Sequence, residues 1–441
     1  MCKQKEEQQV ELIGLILDDG NLDRAVKAVK SNKGAPGIDR MTVDKLDGYF
    51  AEHKAEIKHL IMNKEYRPEP VRRVYIPKAN GKKRALGIPT VVDRVIQQAV
   101  AQVLSEVYDS SFSESSYGFR PNRDCHKAMS RALEYVNDGC EWIVDLDIEK
   151  YFDTVNHDKL ISILREKVKD PQTLHLIRSF LRAGVMEEGL VSPTIEGVPQ
   201  GGPLSPILSN IYLDKFDKEL EARGLRFVRY ADDCNIFVRS EMAADRVMKS
   251  VTGWLERKLF LKVNAEKTKV VRPTGSQFLG FSFHGGSGNW KLRPCRDRIA
   301  KLYAKVREVL KRKQAVARPL AITFSKLNQI IRGWINYFRI GSMKGAMKVF
   351  GQWLRHKVRV IIIKQWKNIK TIYRNLMTLN KMFRCGFSDE DIYKCANTRL
   401  GWYKRATGNV VSFLLSPKVL AMKNKSRPGL VDPYGYYLSN L

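Results

Sequence analysis

Closely paired cysteines and long apolar runs are both missing from this chain. Its 441 residues include 7 cysteines, none of them in a C-x-x-C pair. We therefore expect neither a disulfide framework nor a zinc ribbon, but reduced thiols in a cytosolic protein. No uninterrupted apolar run approaches the length that a bilayer requires. The first ten residues carry charges and no apolar core, so we expect no signal peptide and no membrane partner.

Acidic residues become scarce in the last third of the chain. Residues 1–285 hold 44 Lys and Arg against 41 Asp and Glu, whereas residues 286–441 hold 33 against 6. Residues 286–441 therefore carry +27 of the total net charge of +30. Such a density predicts a polyanionic partner. Because the basic residues alternate with aromatic ones over a long folded region, nucleic acid is favoured over an anionic membrane.

The order of apolar patterns predicts an α+β protein. Helical spacing runs over residues 12–29, 43–62 and 95–107. Strand patterns flank Asn80-Gly81, a strong hairpin signal. After the glycine cluster of residues 285–288, three basic amphipathic helices are predicted, so we place a domain boundary at that cluster.

The most informative motif is Tyr230-Ala231-Asp232-Asp233, which lies between two short strand patterns. It predicts an acidic pair at the tip of a β-hairpin. Adjacent carboxylates in an apolar frame repel each other, and a divalent metal is the usual means of neutralising them. Asp145 and Asp147 share one face of a second predicted strand and could complete the site. A solvated turn explains one isolated acidic pair about equally well.

Further motifs follow in a fixed order. Residues 197–210 join a glycine-rich turn to a helix predicted to open at Ser205-Pro206. Together with the Asp147 strand and the tetrad, this segment resembles the palm of reverse transcriptases encoded by group II introns. The other blocks that resemble this family lie at residues 33–39, 76–78, 84–89, 116–121, 261–268, 278–280 and 332–338. The resemblance spans roughly residues 20–400.

The resemblance implies a right-hand polymerase with an antiparallel palm sheet in its fingers-palm region, followed by an α-helical thumb or maturase domain. It implies four segments. They are an N-terminal extension of the fingers (1–65), the fingers-palm (66–285), the thumb or maturase domain (286–398) and a basic, DNA-binding-like tail (399–441). The tail is similar to that of compact bacterial members, so we expect no HNH endonuclease.

The resemblance also implies the metal ligands. They are Asp147, Asp232 and Asp233, assisted by the backbone carbonyl of Ile148, and they would hold two Mg²⁺ ions, with Mn²⁺ as a substitute. In the family an aromatic residue five positions after the first aspartate blocks a ribose 2′-hydroxyl. Phe152 stands five positions after Asp147, which leaves Asp145 a supporting role; a core aromatic is the alternative reading of Phe152.

The remaining roles come from the same resemblance. Lys78 and Arg84 are expected to close over the triphosphate, although alone they would read as solvated charges on a turn. Gln200 is expected beside the nucleotide sugar, and Lys267 as a general acid toward pyrophosphate. Template or primer contacts are expected from Tyr117, Arg120, Lys301, Lys305 and Arg312, with packing as an equal alternative for Tyr117.

We therefore predict an RNA-directed DNA polymerase of a mobile group II intron that also assists splicing and retrohoming. Its expected partners are intron RNA, an RNA template with a DNA primer, dNTPs and target DNA, in the bacterial cytoplasm with the nucleoid or a ribonucleoprotein. An RNA-dependent RNA polymerase, a domesticated reverse transcriptase of retron or defence type, and a splicing-only maturase are the alternatives. The sequence does not define the oligomeric state.

Overall fold

The computed structural model describes residues 11–77, 81, 83–423 and 427–441. The chain forms two compact units that divide between Ser276 and Gln277. Each unit has its own secondary structure and is described in turn.

The first unit is mostly helical, with ten α-helices among its described residues. They are α1 (Leu12–Ile16), α2 (Asp19–Ser31), α3 (Leu46–Met62), α4 (Val91–Tyr108), α5 (Cys125–Asn137), α6 (Tyr151–Thr154), α7 (His157–Leu164), α8 (Pro171–Arg182), α9 (Leu204–Ala222) and α10 (Glu241–Leu259). The helix predicted to open at Ser205 begins one residue earlier, and the Ser205 hydroxyl donates to the carbonyl of Pro199.

Eight strands form two sheets in this unit. The strands are β1 (Val71–Pro77), β2 (Lys83–Ile88), β3 (Trp142–Asp147), β4 (Val185–Glu187), β5 (Leu190–Ser192), β6 (Arg226–Tyr230), β7 (Asp233–Val238) and β8 (Lys269–Val271). One sheet has the order β2-β1-β4-β5, in which β1 and β2 form the predicted antiparallel hairpin. The other has the order β6-β7-β3-β8.

The sheet β6-β7-β3-β8 is antiparallel at every pairing, as predicted for the palm. Apolar side chains of β3, β6 and β7, such as Val144, Phe227 and Ile236, are buried. They belong to a continuous hydrophobic core shared with helices α4, α9 and α10. This packing places the ends of β3, β6 and β7 on a rigid support.

The first predicted helix is two helices. It breaks at Leu17 and Asp18, and the carboxylate of Asp18 accepts a hydrogen bond from the backbone N–H of Asn21. Aspartate is a strong N-cap because its side chain satisfies an N–H that the first turn leaves unpaired. The break could not be predicted from the spacing of the apolar residues, because that spacing continues across the break and the apolar residues of both helices face the core.

The second unit starts with a hairpin and continues as helices. Its elements among the described residues are β9 (Phe281–His284), β10 (Lys291–Pro294), α11 (Arg296–Val309), α12 (Arg312–Ala317), α13 (Leu320–Phe338), α14 (Lys344–Gln365), α15 (Ile369–Phe383), α16 (Asp389–Asn397), α17 (Trp402–Thr407), α18 (Asn409–Leu414), α19 (Pro417–Ala421) and α20 (Pro433–Leu438). The three predicted basic helices correspond to α11, α13 and α14. The glycine cluster at residues 285–288 lies within the β9–β10 hairpin connection, so the compact unit starts before it.

Across the described part of the chain, none of the helices combines the length and apolar character needed to cross a membrane.

Candidate active site

The acidic tetrad lies where the sequence predicts it, at the tip of the β6–β7 hairpin. Tyr230 and Asp233 pair across the two strands, so Ala231 and Asp232 form the turn between them. Ala231 has a φ of 59°, in the left-handed region that non-glycine residues seldom adopt. Such a backbone conformation persists only where the surroundings enforce it.

Asp147 ends β3 directly opposite Asp233. The two residues are partners in the antiparallel register of β3 and β7, so Asp147 and Asp233 lie side by side at one edge of the sheet, and Asp232 precedes Asp233 in the hairpin turn. Although Asp233 is exposed, desolvation by the neighbouring protein atoms raises the pKa of its carboxyl to about 6. The negative charges of Asp232 and Asp147 act in the same direction. Burial, and then Asp147, raise the pKa of Asp232. The site therefore concentrates negative charge and would bind cations favourably.

One cation of the chain already lies at this edge. The Nζ of Lys267 is 3.0 and 2.9 Å from the two carboxylate oxygens of Asp147. Lys267 follows Asn264, whose backbone N–H donates to the carbonyl of Asp147. The structure thus places the predicted general acid beside the first predicted ligand.

Asp145, two residues upstream on the same strand, has other partners. It accepts a hydrogen bond from the Ser276 hydroxyl at 2.7 Å, and the Nζ of Lys269 lies 3.8 Å away. The supporting role expected for Asp145 stays a prediction.

Within residues 11–77, 81, 83–423 and 427–441, no three histidine, cysteine or carboxylate side chains are gathered closely enough to hold a metal ion. The ligand set Asp147, Asp232, Asp233 and the Ile148 carbonyl stays a prediction. The chemistry of the donors suits a hard divalent cation, because all of them are oxygens.

Phe152 lies in α6 next to the glycine-rich segment. Its carbonyl accepts a hydrogen bond from the backbone N–H of Val198 at 2.6 Å, and its ring packs edge-on against Tyr151 with the centroids 5.1 Å apart. A side chain at Gly197, where φ is 89°, would press on this same carbonyl. The predicted sugar-selecting aromatic is thereby held beside the segment that carries Gln200.

Arg84 and Gln200 are also brought together. The Nε of Arg84 donates to the side-chain oxygen of Gln200 at 2.9 Å, and the backbone N–H of Gly87 donates to the Gln200 carbonyl. The charge of Arg84 lowers the pKa of Asp232 against the larger effect of burial. Two of the predicted nucleotide-binding residues thus share a hydrogen bond, and one of them, Arg84, lies close to Asp232. Another, Lys78, lies outside the described residues.

The predicted template contacts of Tyr117 and Arg120 need correction. Both side chains are buried. Arg120 donates to the Asp109 carboxylate and to the carbonyls of Asp109, Ser113 and Ser116. Arg120 fixes the loop before α5, and the guanidinium of Arg123 lies over the Tyr117 ring, 5.4 Å from its centroid. Both buried side chains therefore serve packing, which was the alternative interpretation of Tyr117, and neither is presented to a template. The charged and aromatic residues of the block at 116–121 suggested contacts with nucleic acid, but the loop uses both side chains for its own packing and hydrogen bonds.

The predicted backbone contacts of the second unit are exposed. Lys301 and Lys305 lie on α11, and Arg312 opens α12. Lys301 lies 3.3 Å from the carboxylate of Asp297 one turn earlier, a surface pair that contributes little to stability. All three side chains are exposed to solvent, and their contact with a phosphate backbone stays a prediction.

The sequence reasoning missed a buried ion pair behind the tetrad, between Arg229 and Asp217. One signal could have revealed it. Arg229 interrupts an apolar strand immediately before the tetrad, and Asp217 interrupts the apolar stripe of α9 that includes Leu213, Phe216 and Leu220. Charged residues at core positions need partners.

Comparison with known families gives two matches that are consecutive along the chain. Residues 76–283 match the family described as reverse transcriptase (RNA-dependent DNA polymerase). Residues 299–379 match the group II intron, maturase-specific domain.

Three curated relatives are similar to this chain, and two of them are named as intron proteins. Protein YkfC of Escherichia coli K12 is 34% identical over 310 residues, which cover 61% of this chain and 81% of that protein. The group II intron-encoded protein LtrA of Lactococcus lactis is 41% identical over 206 residues, covering 46% of this chain and 34% of LtrA. The putative COX1/OXI3 intron 2 protein of Saccharomyces cerevisiae is 33% identical over 59% of this chain and 29% of that protein. The match thus spans most of YkfC but only about a third of the two intron-encoded relatives.

Proposed function

Because the chain belongs to the group II intron reverse transcriptases and maturases and contains an RNA-directed DNA polymerase domain, we propose that it copies RNA into DNA by Mg²⁺-dependent addition of dNTPs to a primer. The observation that carries the proposal is the cross-strand pairing of Asp147 with Asp233, one residue after Asp232 in the hairpin turn. This family uses divalent metal ions, and Mg²⁺ is the ion proposed here.

In the proposed reaction the primer 3′-oxygen attacks the α-phosphorus of the dNTP. A new phosphodiester bond forms while the proton of the 3′-hydroxyl passes to water. The bond between the α-phosphorus and the bridging oxygen of the β-phosphate breaks, and pyrophosphate leaves with the electron pair. When bound, the divalent ions would lower the pKa of the hydroxyl and neutralise the charge that develops on the leaving group. Asp147, Asp232 and Asp233, with the carbonyl of Ile148, are the residues that would hold them.

The other side chains would bind, orient and select. Lys267, whose Nζ contacts the carboxylate of Asp147, would donate a proton to the pyrophosphate oxygen as it leaves, or stabilise the negative charge of that oxygen. Arg84 would grip the triphosphate with its planar fork, together with Lys78. Phe152 and Gln200 would form the wall beside the sugar, so that an additional 2′-hydroxyl meets the ring of Phe152.

The second unit would hold the primer-template duplex. Its elements lie within residues 277–441, in the part of the chain where basic residues far outnumber acidic ones. Exposed Lys301, Lys305 and Arg312 suit phosphate contacts that read no sequence. The maturase-specific match over residues 299–379 supports a second role, binding of intron RNA to assist splicing and retrohoming in the bacterial cytoplasm.

Primer extension on poly(rA)/oligo(dT) with Mg²⁺ tests the polymerase proposal. Wild-type protein should extend the primer, and Asp232→Asn should lose nearly all activity although it preserves the size of the side chain. Asp145→Asn is the matched control, since an asparagine can still accept the Ser276 hydrogen bond; it should keep most of the activity. Equal rates for wild type and Asp232→Asn would refute the site.

A separate test addresses the client RNA, because a domesticated reverse transcriptase would share the chemistry. The DNA that flanks the gene should encode a group II intron RNA, and the protein should accelerate splicing of its transcript at low Mg²⁺. Primer extension without any flanking intron RNA would favour the domesticated enzyme. Splicing assistance without primer extension would favour a splicing-only maturase.

A further inference from the structure

A charged pair is enclosed in the core directly behind the catalytic turn. The side chains of Arg229 and Asp217 are 1% and 0% exposed. The guanidinium contacts the carboxylate through two hydrogen bonds, from Nε at 2.7 Å and from one terminal nitrogen at 2.5 Å. Burial opposes the charge of Arg229, but the carboxylate of Asp217 raises the pKa of Arg229 above its ordinary value. The arginine is therefore a fixed, fully charged donor.

The remaining donors of Arg229 reach toward the turn. One terminal nitrogen donates to the carbonyl of Ala231 at 2.9 Å and to the side-chain oxygen of Asn210 at 3.1 Å. The other donates to the Ser116 hydroxyl at 2.8 Å. Ala231 is the residue with the left-handed backbone, and it is followed by Asp232 and Asp233. The hydrogen bond to its carbonyl fixes the peptide that leads into the acidic pair.

The same turn is enclosed from a second side. The Asn210 side chain donates to the carbonyl of Gly118 at 2.8 Å. A Cβ at Gly118 would collide with the backbone nitrogen of Ala231. The backbone N–H of Tyr117 also donates to the carbonyl of Arg229. Helix α9, the loop before α5 and strand β6 thus meet around a single strained residue.

We propose that Arg229 is a positioning residue for the carboxylates of the active site. Asp217 fixes the guanidinium from α9, and the guanidinium fixes the Ala231 carbonyl and so sets the direction in which Asp232 and Asp233 leave the turn. This inference deepens the proposed polymerase function and rests on it. Desolvation offsets most of the attraction within a buried ion pair, so stability alone is a weak reason for placing one here. Its fork geometry, in contrast, orients several groups at once.

The test separates this role from a purely structural one. Removing one partner would leave an unpaired buried charge and could unfold the protein, so both are replaced by apolar residues of similar size in Arg229→Met/Asp217→Leu. Tyr212→Phe is the matched control. It removes another buried hydrogen bond of α9, from the Tyr212 hydroxyl to the carbonyl of Leu259, with no contact to the turn.

Three quantities are measured on the full chain: single-turnover incorporation at saturating dNTP, template-primer affinity, and hydrogen exchange of the peptide that covers residues 226–238. For the folded double variant we expect incorporation slower by about 100-fold, the loss that a displacement of about 1 Å at reacting groups can produce. Template-primer affinity should be unchanged, and exchange at the hairpin tip should be faster. Tyr212→Phe should match wild type in all three. A folded double variant with wild-type incorporation and exchange would overturn the proposal.

Arg229→Lys covers the case in which the double variant does not fold. A lysine can still face Asp217, but its single ammonium cannot also span Ala231, Asn210 and Ser116. It should remain folded, incorporate more slowly and exchange faster at the tip; wild-type values would again contradict the positioning role. If wild-type protein extends no primer, the polymerase proposal fails, whereas the exchange measurements still decide whether Arg229 orders the turn.

Discussion

Arg84 and Gln200 are 116 residues apart in sequence, and their side chains share a hydrogen bond of 2.9 Å from Nε to Oε1. The bond ties the β1–β2 hairpin to the glycine-rich segment before α9. It also keeps a guanidinium close enough to Asp232 to lower the pKa of that carboxyl, against burial.

Arg84→Lys should weaken nucleotide binding more than it slows the chemical step. The charge remains, but the planar guanidinium, which donates to Gln200 and would also reach a phosphate, is lost. A hydrogen bond to a charged group contributes about 1.5–3 kcal/mol, so the KM for dNTP should rise at least about tenfold. Lys83→Gln, at the neighbouring exposed position of β2, is the control and should leave KM within about twofold. Steady-state kinetics would contradict the assignment if both variants behaved alike.

Phe152→Ala should relax sugar selection. Removing the ring would remove the proposed steric contact with a 2′-hydroxyl, and such contacts discriminate by about 1–3 kcal/mol. The ratio of kcat/KM for dNTP over rNTP should therefore fall by at least about tenfold. Tyr151→Phe, which loses only the buried hydrogen bond to the Ser209 carbonyl, should keep the ratio. An unchanged ratio in Phe152→Ala would remove the basis for distinguishing a DNA from an RNA polymerase at this site.

Two glycine substitutions should have opposite signs. Gly118→Ala drives a methyl group into the backbone of Ala231 and should reduce the free energy of unfolding by about 1–3 kcal/mol, with a loss of polymerase activity. Gly48→Ala in α3 meets no atom within 4 Å and should raise that free energy by about 0.5–1 kcal/mol, because alanine favours a helix. Urea denaturation measures both. Equal effects would show that the close approach to the turn is unimportant.

His157 should make stability depend on pH. Its Nε2 lies 2.6 Å from the carbonyl of Gly197, and burial lowers the pKa of its imidazole below the ordinary value of 6.5. Because the folded pKa is the lower one, the neutral form contributes stability above pH 6.5 that is lost as pH falls through the folded pKa. Carboxyls with raised pKa values, such as that of Asp233, act in the opposite direction over the same range, so the contribution of His157 is measured as a difference between two proteins. His157→Gln keeps a donor for Gly197, and the denaturation midpoint of wild type should fall relative to that of His157→Gln as pH decreases from 8 to 5; a constant difference would assign the pH dependence to other groups.

The sequence predicts those parts of the fold that depend on local patterns. Short apolar runs identified β3 and the β6–β7 hairpin. The pairing of Asp147 with Asp233 was not predicted, because it joins strands that lie far apart in the sequence. The break at Asp18 was missed because capping does not disturb the apolar period. The glycine cluster was read as a boundary, whereas it connects two strands, a choice that depends on pairing between residues distant in sequence.

The site was less predictable where function and packing use the same residue types. Arg120 looked like a template contact because it is cationic and lies in a signature block, yet its donors all meet the loop's own acceptors. The ion pair of Arg229 on β6 was not predicted, because its partner Asp217 lies on a different element, α9. Composition cannot distinguish a buried arginine from an exposed one; only the set of nearby acceptors does.

The contact of Lys267 with Asp147 gives the site an internal counter-ion. A divalent ion that binds there would have to displace the Lys267 ammonium from Asp147. Its apparent affinity would therefore be the difference between the free energy of binding the metal and that of the contact between Lys267 and Asp147. The ammonium it releases would remain on the chain, within reach of the same sheet edge. Binding of the divalent ion and movement of Lys267 toward the leaving group would then be coupled, because the Lys267 side chain cannot lie beside Asp147 and beside the pyrophosphate at the same time.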